Sequence, residues 1–283
     1  MKPPAAAPIL RAASGSPTLV FSRLFGRKHT QDTPSTTGGR LVYAVGDVHG
    51  RLDVLAPLLR DIAEDARASR PAEPPMLVFL GDYVDRGADS RRVVDLVLEL
   101  QAGPQFEVVA LKGNHEEALL QFLTEPGFGA TWMEHGGGTT LVSYGVQPPA
   151  TRTDPEAWAR VSEQFARALP PPHRDFYGSL ELLRVVGDYA FVHAGVRPGV
   201  PLDQQSERDL LWIRQEFLQD RGPFGKVIVH GHTPLEEAQL TPHRLGIDTG
   251  AYATGVLTAV RLQDQDRRLM QARVQRGAGA AAG

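Results

Sequence analysis

The segment LVYAVGDVHG, residues 41–50, places five apolar residues directly before Gly46-Asp47-Val48-His49-Gly50. A short apolar run that ends in glycine and a carboxylate is typical of a buried strand leading into a polar loop. Asp47 and His49 are two residues apart, so an extended backbone points both side chains the same way. The segment therefore predicts a strand whose carboxyl end carries a carboxylate and an imidazole on one side.

Four later segments follow the same plan, with polar residues directly after an apolar run. Apolar residues at helical spacing follow the first three runs of the chain, and this alternation predicts βαβ units with partly parallel strands. Ligands bind beyond the carboxyl ends of the strands in such sheets, so all five clusters are expected to meet at one rim. The four further clusters are GDYVDRG at 81–87, KGNHE at 112–116, HAG at 193–195 and HGHT at 230–233.

The composition excludes several classes of function. The 283 residues include no cysteine, which excludes disulfides, thiolate metal sites and a cysteine nucleophile. Any metal must therefore bind to His, Asp, Glu, Asn or water. A net charge of −3 gives no electrostatic footprint for nucleic acid or an anionic membrane. No apolar run approaches the ~18 residues of a membrane span, and a cytoplasmic location is the default expectation.

The pattern predicts one catalytic domain between two tails. Residues 1–39, rich in Pro, Ala, Ser, Thr and Gly, are expected to be a disordered tail without the parts of a signal peptide. The domain is expected over residues 40–265, with an irregular insertion at 125–183 that contains some helix around 156–169, and a flexible tail over 266–283. Further strands are predicted near 189–193, 226–229, 245–248 and 256–262, and a helix near 208–217. Nothing in the sequence indicates the oligomeric state.

The five motifs, in this order, resemble those of the phosphoprotein phosphatase branch of the calcineurin-like metallophosphoesterases, over residues 41–262. The match is strongest to the bacterial and phage serine/threonine phosphatases. The resemblance implies a mixed α/β fold, a two-sheet β-sandwich flanked by helices, with two divalent cations at the strand ends. Mn²⁺ is expected, with Fe or Zn²⁺ as alternatives. The first cation would bind to Asp47, His49 and Asp82, and the second to Asp82, Asn114, His193 and His232.

The resemblance also implies how the reaction proceeds. A hydroxide held by the two metals would attack phosphorus in line, without a covalent phosphoenzyme. Arg86 and Arg214 would hold the phosphate oxygens, since guanidinium groups suit bidentate phosphate contacts. His115 would protonate the leaving group, oriented and kept protonated by Asp85. Arg214 also fits an ordinary arginine on a helix surface.

Some nearby residues are expected to have plainer roles. His230 is expected to be a neutral histidine behind the site, and His135 a histidine of a flexible loop. The three tryptophans are expected to pack in the interior rather than form a recognition surface; they are Trp132, Trp158 and Trp212.

The leading hypothesis is a metal-dependent serine/threonine or dual-specificity protein phosphatase that acts on a phosphoprotein or phosphopeptide. One alternative is a dinucleoside polyphosphate hydrolase of the same superfamily, a branch that often lacks the Asp of the Asp-Arg-Gly segment. The presence of Asp85 favours the phosphatase. The other alternative is a non-catalytic metal-binding scaffold, and the presence of every expected ligand counts against it. Nuclease or phosphodiesterase activity is disfavoured because no basic stripe is present.

Overall fold

Strand β1, Leu41–Val45, forms the centre of a five-stranded sheet in the computed structural model, which describes residues 35–274. The strand order is β10-β9-β1-β2-β3. β1 pairs in parallel with β2, and β2 with β3, while β9 and β10 are antiparallel. The predicted βαβ units are confirmed. The other strands are β2 (Met76–Phe79), β3 (Glu107–Ala110), β9 (Val256–Gln263) and β10 (Asp266–Arg273).

A second five-stranded sheet has the order β4-β5-β6-β8-β7. Its central strands β5, β6 and β8 are parallel, and the two edge strands are antiparallel to their neighbours. Three of these strands lie close to the predicted positions. Their bounds are β4 (Leu183–Val186), β5 (Tyr189–Val192), β6 (Val227–His230), β7 (Gln239–Leu240) and β8 (Arg244–Gly246).

Successive residues of β1 point to opposite faces, and both faces are buried. Tyr43 joins the apolar cluster beneath the helices, whereas Val42 packs in the cluster shared with Phe191 and Val229 of the second sheet. The two sheets thus form a sandwich with helices outside. The fold is the predicted mixed α/β, two-sheet β-sandwich flanked by helices.

Three helices follow the first three strands, and two more pack near the second sheet. The first three are α1 (Leu52–Ser69), α2 (Ser90–Ala102) and α3 (Asn114–Thr124). The predicted helix over 208–217 is interrupted at Ile213 and Arg214, because Arg214 leaves helical geometry with φ −132° and ψ −96°. The later helices are α8 (Glu207–Trp212), α9 (Gln215–Leu218) and α10 (Ala251–Thr254).

The insertion at 125–183 is more regular than its sequence suggests. It is mostly helical, and its helices enclose an aromatic cluster in which Trp132 and Phe165 both pack on Phe122 of α3. Burial of such rings compensates for a weak local pattern. The helices are α4 (Gly129–Glu134), α5 (Gly137–Ser143), α6 (Pro155–Ala168) and α7 (Pro171–Ser179).

The expectation of a flexible tail from residue 266 is wrong for its first part. Asp266–Arg273 form β10, an edge strand paired with β9 along its whole length. The strand exposes most of its side chains, and Ala272 is its buried contact, so its hydrophobic pattern is weak. The rest of that tail, 275–283, and residues 1–34 of the other lie outside the described residues.

Among the helices of residues 35–274, none is both long and apolar enough to cross a membrane.

Removal of β10 should destabilise the protein, because its ladder with β9 spans Asp266↔Gln263 to Arg273↔Val256. A chain that ends at residue 265 should lose about 4 kcal/mol or more of unfolding free energy, at ~0.5 kcal/mol or more for each hydrogen bond lost. A chain that ends at residue 274 keeps β10 and is the matched control. Urea denaturation compares the two, and equal midpoints would show that β10 contributes nothing.

Candidate metal and phosphate site

The polar clusters meet where the parallel strands of both sheets end, and Asp82 lies at their centre. Its carboxylate is 3.4 Å from Nε2 of His49, 3.5 Å from Nε2 of His193 and 3.9 Å from Nε2 of His115. All four side chains are buried. Two groups of three could each hold a metal ion, with ligand atoms within 4.8 Å of one another: His49, Asp82 and His115, and Asp82, His193 and His232.

Lone pairs converge on the second of these groups. Nδ1 of His193 lies 2.8 Å from the Leu80 carbonyl, a contact that places its proton there and leaves Nε2 unprotonated. That Nε2 faces Oδ1 of Asn114 at 2.9 Å, and Nδ1 of His232 faces the same oxygen at 2.8 Å. The unprotonated Nε2 of His193 and the amide oxygen of Asn114 both offer lone pairs, which a cation between them would accept. The donor set of neutral nitrogen and oxygen atoms fits a borderline divalent metal.

His49, like His193, has its Nδ1 next to a backbone carbonyl. Its Nδ1 lies 2.9 Å from the Val84 carbonyl, which directs Nε2 toward Asp82. Burial lowers the pKa of His49 to about 3 and the pKa of His232 to about 2. Both imidazoles are therefore neutral at pH 7, the form that binds metals. Such backbone contacts to the outer nitrogen are usual for metal-binding histidines.

Asp47 lies at the edge of the cluster, where its two carboxylate oxygens accept from the His232 N–H at 3.0 and 3.2 Å. Its neighbour Asp248 is also buried and was not singled out from the sequence. Burial, with the charges of Asp248 and Asp82, raises the pKa of Asp47, and burial raises the pKa of Asp248 to about 6. The sequence pattern could have indicated Asp248 as a site residue, because it follows the apolar residues Leu245 to Ile247 just as Asp47 follows β1.

The backbone around the site is strained. Seven non-glycine residues between 35 and 274 have positive φ, and five of them belong to the polar clusters. Side chains other than glycine pay a steric cost in this region, which is typical of functional sites. The five are His49 (47°), Asp82 (53°), Asp85 (71°), Arg86 (68°) and His232 (65°).

Glu116 holds two of these loops together. Its buried carboxylate accepts from the backbone N–H groups of Asp82 (2.8 Å), Tyr83 (2.8 Å) and Gly113 (2.9 Å). Burial raises the pKa of Glu116, whereas these donors favour the ionised form. Gly113 allows the close approach, because a Cβ there would lie 2.1 Å from Oδ1 of Asp82. Glu116 thus fixes the position of Asp82 without itself facing the cluster of lone pairs.

His115 and Asp85 form a buried pair, with Nδ1 2.6 Å from Oδ2. Two residues of the insertion complete the surroundings of Asp85: Nε1 of Trp132 donates to it at 2.8 Å, and Oγ1 of Thr140 donates at 2.6 Å. Burial lowers the pKa of His115, but the negative charges of Asp82 and Asp85 outweigh this and raise the pKa to about 9. The imidazole is therefore protonated at pH 7 and can donate a proton.

Arg86 lies beside this pair. Its Nη2 is 3.3 Å from Nε2 of His115, and its guanidinium covers the ring of Tyr252 at 4.1 Å. When Nε2 is protonated, both groups are donors that face the same space. An anion between them would accept from both, which is the geometry that a phosphate oxygen requires.

A cavity of about 270 Å³ opens over these groups, and Arg214 lines its wall. The break in helical geometry between α8 and α9 places the Arg214 side chain here rather than on an outer helix surface. Trp212 also lines the cavity and is 43% exposed, so it differs from the interior residue that we expected. His135, which we expected to be a histidine of a flexible loop, lines the cavity too.

His230 lies behind the site, as expected. Its ring packs on Phe217 with 5.0 Å between centroids, and its buried Nε2 has no hydrogen-bond partner among the described residues. Burial lowers the pKa of His230 to about 3, so it is neutral. Trp132 and Trp158 are buried in the aromatic cluster, as expected.

Comparison with known families accounts for this arrangement. The model of the calcineurin-like phosphoesterases matches residues 41–253, three quarters of the chain and all five polar clusters. The chain belongs to the calcineurin-like phosphoesterases. The resemblance noted in the motifs is thereby confirmed, as is phosphoesterase hydrolysis at a coarse level.

Several curated relatives carry the same protein name. The bis(5'-nucleosyl)-tetraphosphatase PrpE [asymmetrical] of Bacillus thuringiensis (strain Al Hakam) is 28% identical over 240 residues, 78% of this chain and 90% of that protein. Its namesake in Anoxybacillus flavithermus is similar to the same extent. A crystal structure of a candidate diadenosine tetraphosphatase covers 87% of this chain and 100% of its own, with a TM-score of 0.58 and 20% identity. That structure supports the fold alone.

A methyl group at Gly137 should disturb the His115–Asp85 pair from a distance. A Cβ there would lie 2.3 Å from Cδ2 of Trp132, whose indole N–H binds Asp85. Gly137→Ala should therefore lower kcat for an alkyl phosphoester about 10–100-fold, the usual scale for a small misplacement of a catalytic group. Gly178→Ala is the matched control, since a Cβ at this helical position meets nothing within 4 Å. Equal kcat in both variants would contradict the role given to Trp132.

Proposed function

We propose that this chain is a metal-dependent hydrolase that cleaves dinucleoside tetraphosphates asymmetrically, into a nucleoside triphosphate and a nucleoside monophosphate. The observation that carries the proposal is the similarity to the PrpE enzymes over 90% of their length. This substrate class is the alternative in the sequence analysis, and the similarity favours it over a phosphoprotein. The chain is thus proposed as an enzyme with a small-molecule substrate.

The proposed metal ligands are those expected from the motifs. One cation would bind to Asp47, His49 and Asp82, and the other to Asp82, Asn114, His193 and His232. The neutral imidazoles and the lone pairs facing one another around Asn114 support this set. When bound, the cations polarise phosphate oxygens and activate water. Mn²⁺ is our proposal for their identity, with Fe or Zn²⁺ as the other ions that suit these donors.

The other polar side chains would act on the phosphate chain. Arg86 and Arg214 would bind oxygens of the phosphate under attack, and both cations would offset its negative charge. His115 would donate the proton on Nε2 to the leaving oxygen, and Asp85 would hold the imidazole through Nδ1. The 2.6 Å contact between these two residues supports that role.

Serine/threonine protein phosphatase activity is the second candidate, because one observation favours it. The leaving group of a phosphoserine ester is an alkoxide, which needs a proton far more than the phosphate that leaves from an anhydride. The His115–Asp85 pair is buried, and Trp132 and Thr140 both donate to Asp85. Such a pair can supply the proton that this leaving group needs. The contacts of Asp85 therefore favour a phosphoester substrate, whereas the similarity to the PrpE enzymes favours a phosphoanhydride substrate.

A substrate panel separates the two candidates. Protein stripped with a chelator and reloaded with Mn²⁺ should cleave diadenosine tetraphosphate to ATP and AMP, with a kcat/KM about 100-fold above that for phosphoserine or phosphotyrosine peptides. Product separation by anion-exchange chromatography checks both rate and asymmetry. A higher kcat/KM for the phosphoserine peptide would establish the second candidate instead. No turnover with Mn²⁺, Fe²⁺, Co²⁺ or Zn²⁺ would favour the non-catalytic scaffold.

His115→Asn should slow the hydrolysis of an alkyl phosphoester about 10²–10⁴-fold, the usual effect of losing a general acid. Hydrolysis of diadenosine tetraphosphate should fall much less, because its leaving phosphate is weakly basic. The wild-type rate on the ester should decline as pH rises through a pKa at or below about 9, since deprotonated His115 has no proton to donate. Bound cations oppose the charge of Asp82 and shift this decline toward lower pH.

The decline at high pH should be absent in His115→Asn, and pH profiles of kcat/KM for both proteins test this. Equal losses on ester and anhydride, or an unchanged decline in the variant, would contradict the role of His115 as proton donor.

A further inference from the structure

Trp212 is a large apolar side chain that stays partly exposed to solvent beside the polar site. It is 43% exposed, although its neighbours Leu211 and Ile213 are buried and anchor the chain on both sides. Isolated exposed apolar residues need no explanation, but a tryptophan at the wall of a cavity lined by Arg86, His115 and Arg214 does. The backbone cannot easily turn this ring away, because the two flanking residues fix it.

The orientation of the ring is also fixed. Nε1 of Trp212 donates to Oε2 of Glu117 at 2.6 Å, and the indole lies near His232 with 6.3 Å between centroids and planes 79° apart. The polar edge of the ring is thus satisfied, while apolar surface of the ring remains in contact with solvent. Because the ring is already held in place, binding of a flat group against it costs little side-chain conformational entropy.

The position of Trp212 suits a substrate longer than the catalytic cavity. That cavity, about 270 Å³, lies below the ~300–1,000 Å³ typical of pockets for drug-sized ligands. Trp212 and Arg214 also line an adjoining cavity of about 470 Å³, whose wall includes Arg208. A ligand whose phosphates lie on Arg86 and Arg214 would pass Trp212 as it leaves the catalytic cavity.

We infer that Trp212 is the stacking surface for a nucleobase of the substrate, whose phosphates lie toward Arg214. This inference rests on the proposed function and extends it to a base-binding residue. A nucleobase is the flat group that a dinucleoside tetraphosphate presents at either end, and stacking on an aromatic ring is a common mode of base recognition. Tyr252, an exposed aromatic residue that packs on His49, already has the Arg86 guanidinium on one face.

Binding of two small ligands tests the inference without turnover. AMP and ribose 5-phosphate carry the same phosphate and sugar, and they differ in the base. Calorimetric titration of metal-loaded wild-type protein should give AMP about tenfold tighter affinity, within the usual range for one stacked base. Trp212→Leu keeps an apolar side chain without a ring and should lose this preference. Trp212→Phe keeps a ring and should retain most of it.

The fluorescence of Trp212 gives a second measurement on the same proteins. AMP should quench wild-type emission more than ribose 5-phosphate does, and this difference should vanish in Trp212→Phe, which leaves the buried Trp132 and Trp158 as emitters. Thermal unfolding midpoints of both variants within about 2 °C of wild type would show that the fold is intact.

The outcomes separate this inference from the proposed function. An equal AMP preference in wild type and Trp212→Leu overturns the stacking role, even if diadenosine tetraphosphate is cleaved. A preference that depends on the ring, in a protein that does not cleave diadenosine tetraphosphate, overturns the proposed function and keeps the stacking role. If Trp212→Leu lowers only the kcat/KM for a phosphotyrosine peptide, the ring binds a tyrosine side chain, and the nucleobase assignment is wrong.

Discussion

The gathering of metal-binding nitrogen and oxygen atoms around Asp82 is the constraint on which the rest of the site depends. Nε2 of His193 and Nδ1 of His232 each lie within 3 Å of Oδ1 of Asn114 in a buried place, and the imidazoles are neutral. Nε2 of His193 has no proton to donate to this oxygen, because the proton of its ring is directed from Nδ1 to the Leu80 carbonyl. A divalent cation would accept the lone pairs that face each other here.

Other interactions hold the backbone around these atoms in place. Glu116 accepts from backbone N–H groups of the loop that carries Asp82 and of the loop before α3, and glycines such as Gly113 and Gly231 leave no side chain where the carboxylates of Asp82 and Asp47 must fit. Several residues with left-handed backbone, Asp82 among them, belong to these loops. Their strain is offset by the two packed sheets beneath, whose strands end at the site.

The sequence predicted the strand ends well because each motif is local: an apolar run and the polar residues after it need no partner to be recognised. It failed where a role depends on tertiary contact. Glu116 resembled an ordinary acidic residue in the first turn of a helix, and Trp132 an ordinary packing residue, although each holds a member of the site. Within the insertion, the pattern predicted the helix now seen as α6, whereas the shorter helices on either side depend on aromatic packing. β10 was missed because an exposed edge strand buries too little to show alternation.

The contacts of Asp85 with Trp132 and Thr140 have a consequence for how this enzyme family can diversify. The segment 129–143 bears these two residues, and it also forms part of the wall of the catalytic cavity through Thr131 and His135. Segments that shape a ligand pocket are usually free to vary, because the reactive groups are carried elsewhere. Here the same segment also holds the carboxylate that contacts the imidazole of His115. Exchanging this segment with that of a homologue would change the contacts of Asp85 together with the shape of the pocket, so that leaving-group preference and substrate preference would change together.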